Sequence, residues 1–365
     1  MDSIVLLALI ALLVVAISWL WDYTVVRLIW SPYRTTKEFR EKLGFHGPAY
    51  KFLKVNNEEI SSMKEEADSL VLDVHDHDYF PKIAPHYLKW RAQYVILLAL
   101  SMCPPGCNYL PTERNRRKWM LEKKLRNTLI QIIQLRLSSK DGEYGNDLLG
   151  LMLDACASDK QGEVSLSMDE IIDECKTFFF AGHETTSLLL TWTVFLLSVY
   201  PEWQERLRNE VFRECGRDQY PDANSLSKLK EITMVLLETL RLYNPAVFIQ
   251  RKPITDIKVG SLKIPAGLAV YIPVPIMHRD KQIWGADADE FNPLRFQNGA
   301  TRAAKIPHAL LSTSQNFAML EAKAVMAVML HRFCFVVSPG YVHAPMDLIT
   351  LKPKFGLPVK KIVVE

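Results

Sequence analysis

The 365-residue chain has little excess charge: 44 Lys and Arg stand against 41 Asp and Glu, leaving +3. No overall field draws it to nucleic acid, and none repels it from anionic surfaces. It has only six cysteines, Cys103, Cys107, Cys156, Cys175, Cys215 and Cys334, with no C-x-x-C pair among them. That spacing supports neither a zinc site nor a disulfide scaffold, so no metal ligands are assigned and reduced thiols are expected. Internal repeats and low-complexity segments are lacking, which excludes solenoids and repetitive linkers. With 15 Gly, 20 Pro and 49% hydrophobic residues, the composition is neither disordered nor collagenous. The length suits one large domain or two ordinary ones.

Long apolar runs are scarce, but the first is distinctive. Ser3 to Trp21 carries no charge and approaches the ~20 residues a helix needs to cross hydrocarbon. A cleaved signal peptide is the alternative. Asp2 in place of a basic start, and no small-x-small site before Trp19, Trp21 and Tyr23, favour an uncleaved anchor over 1–21. Arg27, Arg34, Lys37, Arg40 and Lys42 follow, which places the main domain on the cytosolic side. A reducing compartment agrees with unpaired thiols.

Beyond the anchor, His46-Gly47-Pro48 reads as a turn and Asn56–Asp68 as an acidic helix. Tyr94–Met102 is apolar yet too short to span a bilayer, and Arg114–Arg126 is a basic helical stretch whose plainest reading is a solvated face. Ser167-Met168-Asp169-Glu170 is a capping box opening a helix that runs to Tyr200, where Pro201 ends it. Its second half is apolar all round, as in a helix buried through a large domain, while Lys176, His183 and Glu184 argue against a second membrane span. Helices over Pro201–Arg213 and Leu226–Leu242 come next. Short strands follow around Ile257, Val259, Leu262, Ile264, Val270 and Ile272, then a last helix from Gln315 to His331 and a strand-like tail. The expected fold is mainly α with a small β-rich region.

Within the long helix, Ala181-Gly182-His183-Glu184-Thr185-Thr186 places an acid beside two hydroxyls. Such a cluster is either a polar kink in a core helix or part of a functional pocket. Glu238 and Arg241 lie three apart behind an apolar run, so they share a helix face and form a buried pair that must be fully hydrogen-bonded. Arg295 is a candidate third partner that spacing alone does not reveal.

AGHETT, ETLR, HRDKQIWGADADEFNPLRF and QNFAMLEAK occur in that order. With them the chain resembles a cytochrome P450 of the plant microsomal clan that includes cytokinin hydroxylase-like enzymes. The resemblance covers the anchor with its Gly47-Pro48 hinge and nearly everything from about Pro111 onward. It implies an oxidoreductase, a haem-thiolate monooxygenase that hydroxylates a small lipophilic substrate with O2, haem b as cofactor and electrons from cytochrome P450 reductase. It also implies a single-pass protein of the endoplasmic reticulum membrane, with no nucleic acid partner. Glu184 and Thr185 match the acid–alcohol pair that delivers protons. Glu238, Arg241 and Arg295 match a structural charge triad. Arg251 falls where a haem propionate donor is placed, its plain alternative being a solvated strand residue.

Two departures stand out. The family's F-x-x-G-x-R-x-C-x-G loop, whose thiolate holds the iron, has no counterpart before the last helix. Between Ile306-Pro307-His308-Ala309 and Gln315-Asn316-Phe317 the chain reads Leu310-Leu311-Ser312-Thr313-Ser314, and counting back from Gln315 puts Ser312 at the ligand position. The second departure is a larger block at Tyr94-Val95, where the family's early strands and following helices are skipped. Missing exons, a faulty gene model and a decayed paralogue would leave the same trace. The resulting expectation is an incomplete P450 fold behind a transmembrane helix: anchor 1–21, an N-terminal fragment of the haem domain over 22–94, and its remainder over 95–365 with the central helix at 167–200. Three readings remain open: a monooxygenase, a catalytically dead anchored fragment, and a chain that does not fold.

Overall fold

The computed structural model describes residues 2–22, 57–93, 111–138, 144–157, 166–217, 221–260, 262–310 and 316–363. The Gly47-Pro48 hinge, the basic residues Arg27 to Lys42, the Tyr94-Val95 junction, Cys103, Cys107 and Ser312 lie outside them. In chain order the helices are α1 (Asp2–Trp21), α2 (Asn57–Asp68), α3 (Phe80–Ile83), α4 (Pro85–Gln93), α5 (Glu113–Leu137), α6 (Leu148–Ala157) and α7 (Met168–Val199). They continue with α8 (Pro201–Cys215), α9 (Ala223–Lys228), α10 (Lys230–Leu242), α11 (Val274–His278), α12 (Lys281–Trp284) and α13 (Asn316–Arg332). The strands form antiparallel pairs: β1 (Phe248–Arg251) with β4 (Val270–Pro273), β2 (Ile257–Val259) with β3 (Leu262–Ile264), β5 (Phe333–Val337) with β8 (Val359–Val363), and β6 (Pro345–Leu348) with β7 (Thr350–Pro353). The chain is mainly helical.

α7 starts where the capping box closes: Ser167 Oγ accepts from the Glu170 amide and Glu170 returns a carboxylate oxygen to the Ser167 amide at 2.8 Å. Its second half buries Leu188, Leu189, Trp192, Phe195, Leu196 and Leu197 against α8, α10, α13 and β5. Thr191 and Thr193 there donate to the carbonyls of Ser187 and Leu189, so their hydroxyls cost the core little. The first half carries Phe178, Phe179 and Phe180 in the open, with a second small core of Ile133, Met152, Leu153, Ile171 and Ile172 near its start.

The helix expected over Leu226–Leu242 is two. Leu229 is fully buried and leaves the helical conformation (φ −70°, ψ 79°), which breaks the run. The new start at Lys230 is satisfied by a remote group: buried Glu210 on α8 accepts from the amides of Glu231 (2.7 Å) and Ile232 (2.9 Å). The α1 helix covers the anchor expected over 1–21, and its described side chains, Ile10 to Trp21, span about 18 Å at 1.5 Å per residue. Among the described residues no helix is long and apolar enough to cross a membrane.

A chain of rings fastens distant segments at the centre. Tyr200 Oη meets His77 Nε2 at 3.0 Å, His77 Nδ1 meets Tyr243 Oη at 2.9 Å, Tyr243 Oη meets His343 Nε2 at 3.3 Å, and His343 Nδ1 meets Tyr341 Oη at 2.8 Å. Trp192 stacks on Tyr243 and Phe195 on His343. Residues 72–88 thereby share one core with α7, α10 and the carboxyl-terminal strands.

Burial holds the imidazoles of His77 and His278 down at about 3, and those of His86 and His343 at about 4. All four are neutral when folded and take up protons when unfolded below about 6.5. Stability is therefore full above that value, and falls as the pH drops from about 6.5 toward about 3. Urea denaturation across this range should show a smaller dependence for His343→Phe than for the native chain, and an unchanged dependence would refute the assignment.

Candidate functional site

The apolar run Met234–Leu237 draws α10 into the core, so the polar side chains that follow it are taken out of water. Glu238 and Arg241 are fully buried one turn apart, paired through Nε to Oε2 and Nη2 to Oε1, both at 2.7 Å. The guanidinium's other protons go to the carbonyls of His278 (2.9 Å), Ala288 (2.5 Å) and Glu290 (2.9 Å). All five donors are used. Glu238 also accepts from the Asn292 amide at 2.9 Å. His278, neutral through burial, donates Nδ1–H back to the Arg241 carbonyl at 3.0 Å, and Trp284 lies under the guanidinium at 5.4 Å.

Arg295 stands beside this pair, with Nε 3.8 Å from Glu238 and no hydrogen bond to it. Its hydrogen bonds go to Asp287 Oδ2 (2.8 Å), Asp287 Oδ1 (3.2 Å), the Trp284 carbonyl (2.7 Å) and the Asp287 carbonyl (3.0 Å). The expected triad is a four-membered cluster whose extra carboxylate is Asp287. Burial opposes the charge of Asp287, yet the hydrogen bonds from Arg295 and Asn292 outweigh it and lower its pKa. Asp287 sits in an acidic loop, Asp287-Ala288-Asp289-Glu290, and nothing in that spacing selects it from its neighbours.

On α7, Glu184 and Thr185 diverge. The Thr185 hydroxyl donates to the Ala181 carbonyl at 2.6 Å on an exposed face. The Glu184 carboxylate turns toward the β6–β7 hairpin, accepting from Thr350 at 3.0 Å with the Lys352 ammonium 3.6 Å away. Sequence reading did not find those two partners, which are more than 160 positions distant. Open space lies over Gly182, and His183 stacks on Phe179. Arg251 ends β1 exposed, its Nη1 donating to the Gln250 carbonyl, apart from the charge cluster.

Among the described residues no cysteine is set beside the candidate site as a thiolate ligand for haem. Cys156 and Cys175 pack at the small core beside Ile171, and burial pushes the Cys175 thiol up, against thiolate formation. Cys215 is buried at the end of α8 and Cys334 lies in β5. The run from Leu310 to Gln315 contains no cysteine.

A family model described as cytochrome P450 matches residues 79–365. Cytochrome P450 709B3 of Arabidopsis thaliana is 50% identical over 277 residues, covering 73% of this chain and 53% of the relative. A cytokinin hydroxylase of Arabidopsis thaliana is 43% identical over 265 residues (70% of this chain, 51% of the relative). Secologanin synthase 1 of Catharanthus roseus is 45% identical over 267 residues (69% and 51%). The chain spans about half the length of the curated relatives it matches.

Glu238→Gln should cost about 3–5 kcal/mol, because it leaves a buried guanidinium without its counter-charge. Asp287→Asn should cost only about 1 kcal/mol, since Asp287 is a third exposed and Arg295 keeps two carbonyl partners. Chemical denaturation gives both values, and the reverse order would place the anchor of the cluster at Asp287.

Proposed function

The chain belongs to the cytochrome P450 family, and from that premise we propose that its function is of monooxygenase type. The reaction is insertion of one oxygen atom of O2 into a small lipophilic substrate, with electrons from cytochrome P450 reductase. The observation that carries it is the conjunction of a match across residues 79–365 with a buried Glu238–Arg241 pair beside which Arg295 is held by Asp287. Relatives are named for hydroxylation and synthesis, which agrees with oxidation of a small molecule. On this reading Glu184 and Thr185 would be the proton-handling pair and Arg251 would hold a carboxylate of haem b.

A second reading is favoured by a specific observation, the lack of a cysteine between Leu310 and Gln315. On it the 365 residues form a catalytically dead, anchored fragment of the fold, and the monooxygenase chemistry belongs to a form that carries the ligand loop. The two readings share an organisation: an anchor over 1–21, a fragment of the haem domain over 22–94 and its remainder over 95–365. They also share a place, the endoplasmic reticulum membrane, crossed once with the main domain in the cytosol. Support for the anchor is a 20-residue helix with no charge after Asp2 and exposed apolar side chains from Ile10 to Leu20.

An absorption spectrum of the chain expressed with haem precursor, reduced and exposed to carbon monoxide, separates the readings. No thiolate-type Soret band is expected from the 365-residue chain. Insertion of a cysteine-containing loop between Ala309 and Gln315 should restore one. A thiolate band from the chain as it stands would overturn the second reading, and a restored chain that still fails to bind haem would sink the first.

A further inference from the structure

A cleft of about 460 Å3 opens between α9, α10, the turn at Ala300–Arg302 and α13. Its walls are chiefly apolar, formed by Leu226, Leu237, Leu310, Met319 and Leu320. One full cation lines it, Lys323 on α13. That ammonium is partly buried and makes no hydrogen bond or ion pair among the described residues. The carboxylate that acts on it from a distance is Glu210, whose two oxygens are already taken by the Glu231 and Ile232 amides. Of the three hydroxyls on the lining, Ser227 donates to the Asn224 carbonyl and Thr233 to the Leu229 carbonyl, while Thr301 and the His308 imidazole complete its polar groups. The cleft therefore offers an apolar body and, on Lys323, one full charge with no close partner among the described residues.

We propose that this cleft binds an amphiphilic monoanion, a single carboxylate on an unbranched apolar tail, with the head group on Lys323. A desolvated ammonium is costly until an opposite charge reaches it. A neutral alcohol of equal length would leave that cost in place, and a doubly charged phosphate head would find one cation where it needs more. The volume lies within the range of small-molecule pockets. None of the residues that recognise the ligand belongs to the Glu238 cluster or to α7, and the haem-site run contributes to the cleft only the apolar wall residue Leu310.

Calorimetric titration of the full chain with decanoate, alongside decanol and decyltrimethylammonium, tests it. Decanoate should saturate one site, and both controls should bind at least about tenfold more weakly. Lys323→Met should lose about tenfold or more in decanoate affinity, Lys323→Arg should retain it, and Leu320→Trp should weaken it by filling the cleft from the rim. Circular dichroism checks that each variant is folded, and if Leu320→Trp is not, the Lys323 pair decides alone. No saturable decanoate binding, equal binding of decanol, or an affinity untouched by Lys323→Met would each overturn the proposal. The last result would place decanoate on exposed apolar surface such as Phe178–Phe180.

Discussion

A carboxylate and a guanidinium removed entirely from water are tolerated only when their remaining lone pairs and N–H groups find partners. Arg241 meets that condition by collecting carbonyls from His278, Ala288 and Glu290, while Glu238 collects the Asn292 amide. The demand is local to α10, but its consequence reaches some fifty residues downstream. An irregular segment with little regular structure of its own is pinned, carbonyl by carbonyl, to a helix. Asp287, Asn292 and Arg295 extend the same logic outward, each holding a neighbour in the place the buried pair requires. The β1–β4 pair precedes this segment in the chain and α13 follows it, so both are connected through ground fixed by one ion pair.

Much of this was legible in the sequence where the signal was local. The capping box at Ser167–Glu170 and the apolar pattern after it locate α7 to within a residue at each end. The i, i+3 spacing of Glu238 and Arg241 gives their pairing, because three residues fix both side chains on one face. Legibility ended where partners are remote. Leu229 breaks the run into α9 and α10 only because Glu210, on another helix, stands ready to accept the new start's amides. Asp287 is one of several acids in a loop, and only the folded chain shows which one faces Arg295. The ring chain from Tyr200 to Tyr341 joins positions as far as 166 apart, beyond the reach of any spacing rule. Membership of the family was readable from four motifs in order, since motif order is a property of sequence.

The candidate site divides along the same line. Glu184 and Thr185 are adjacent in sequence, so a motif can name them together, but an α-helix turns about 100° per residue and sends neighbours to different faces. Glu184 therefore meets Thr350 on a hairpin while Thr185 bonds back into its own helix. Arg251 was placed by distance from Glu238 along the chain, and its nearest recorded partner is the carbonyl of the preceding residue.

The charge cluster coexists with a run, Leu310 to Gln315, that contains no cysteine. The acceptors of Arg241 come from residues 238, 278, 288 and 290, and the partners of Arg295 from 284 and 287. Among the described residues none comes from Ala309 or Leu310. Leu310 touches this region only through apolar packing, beside Trp284 and Ala288. Iron ligation depends on a thiolate in one short loop, whereas this part of the fold depends on a network closed before that loop begins. Holding the chain together and holding a cofactor are therefore separable tasks, and the Glu238, Arg241 and Arg295 motifs record the first.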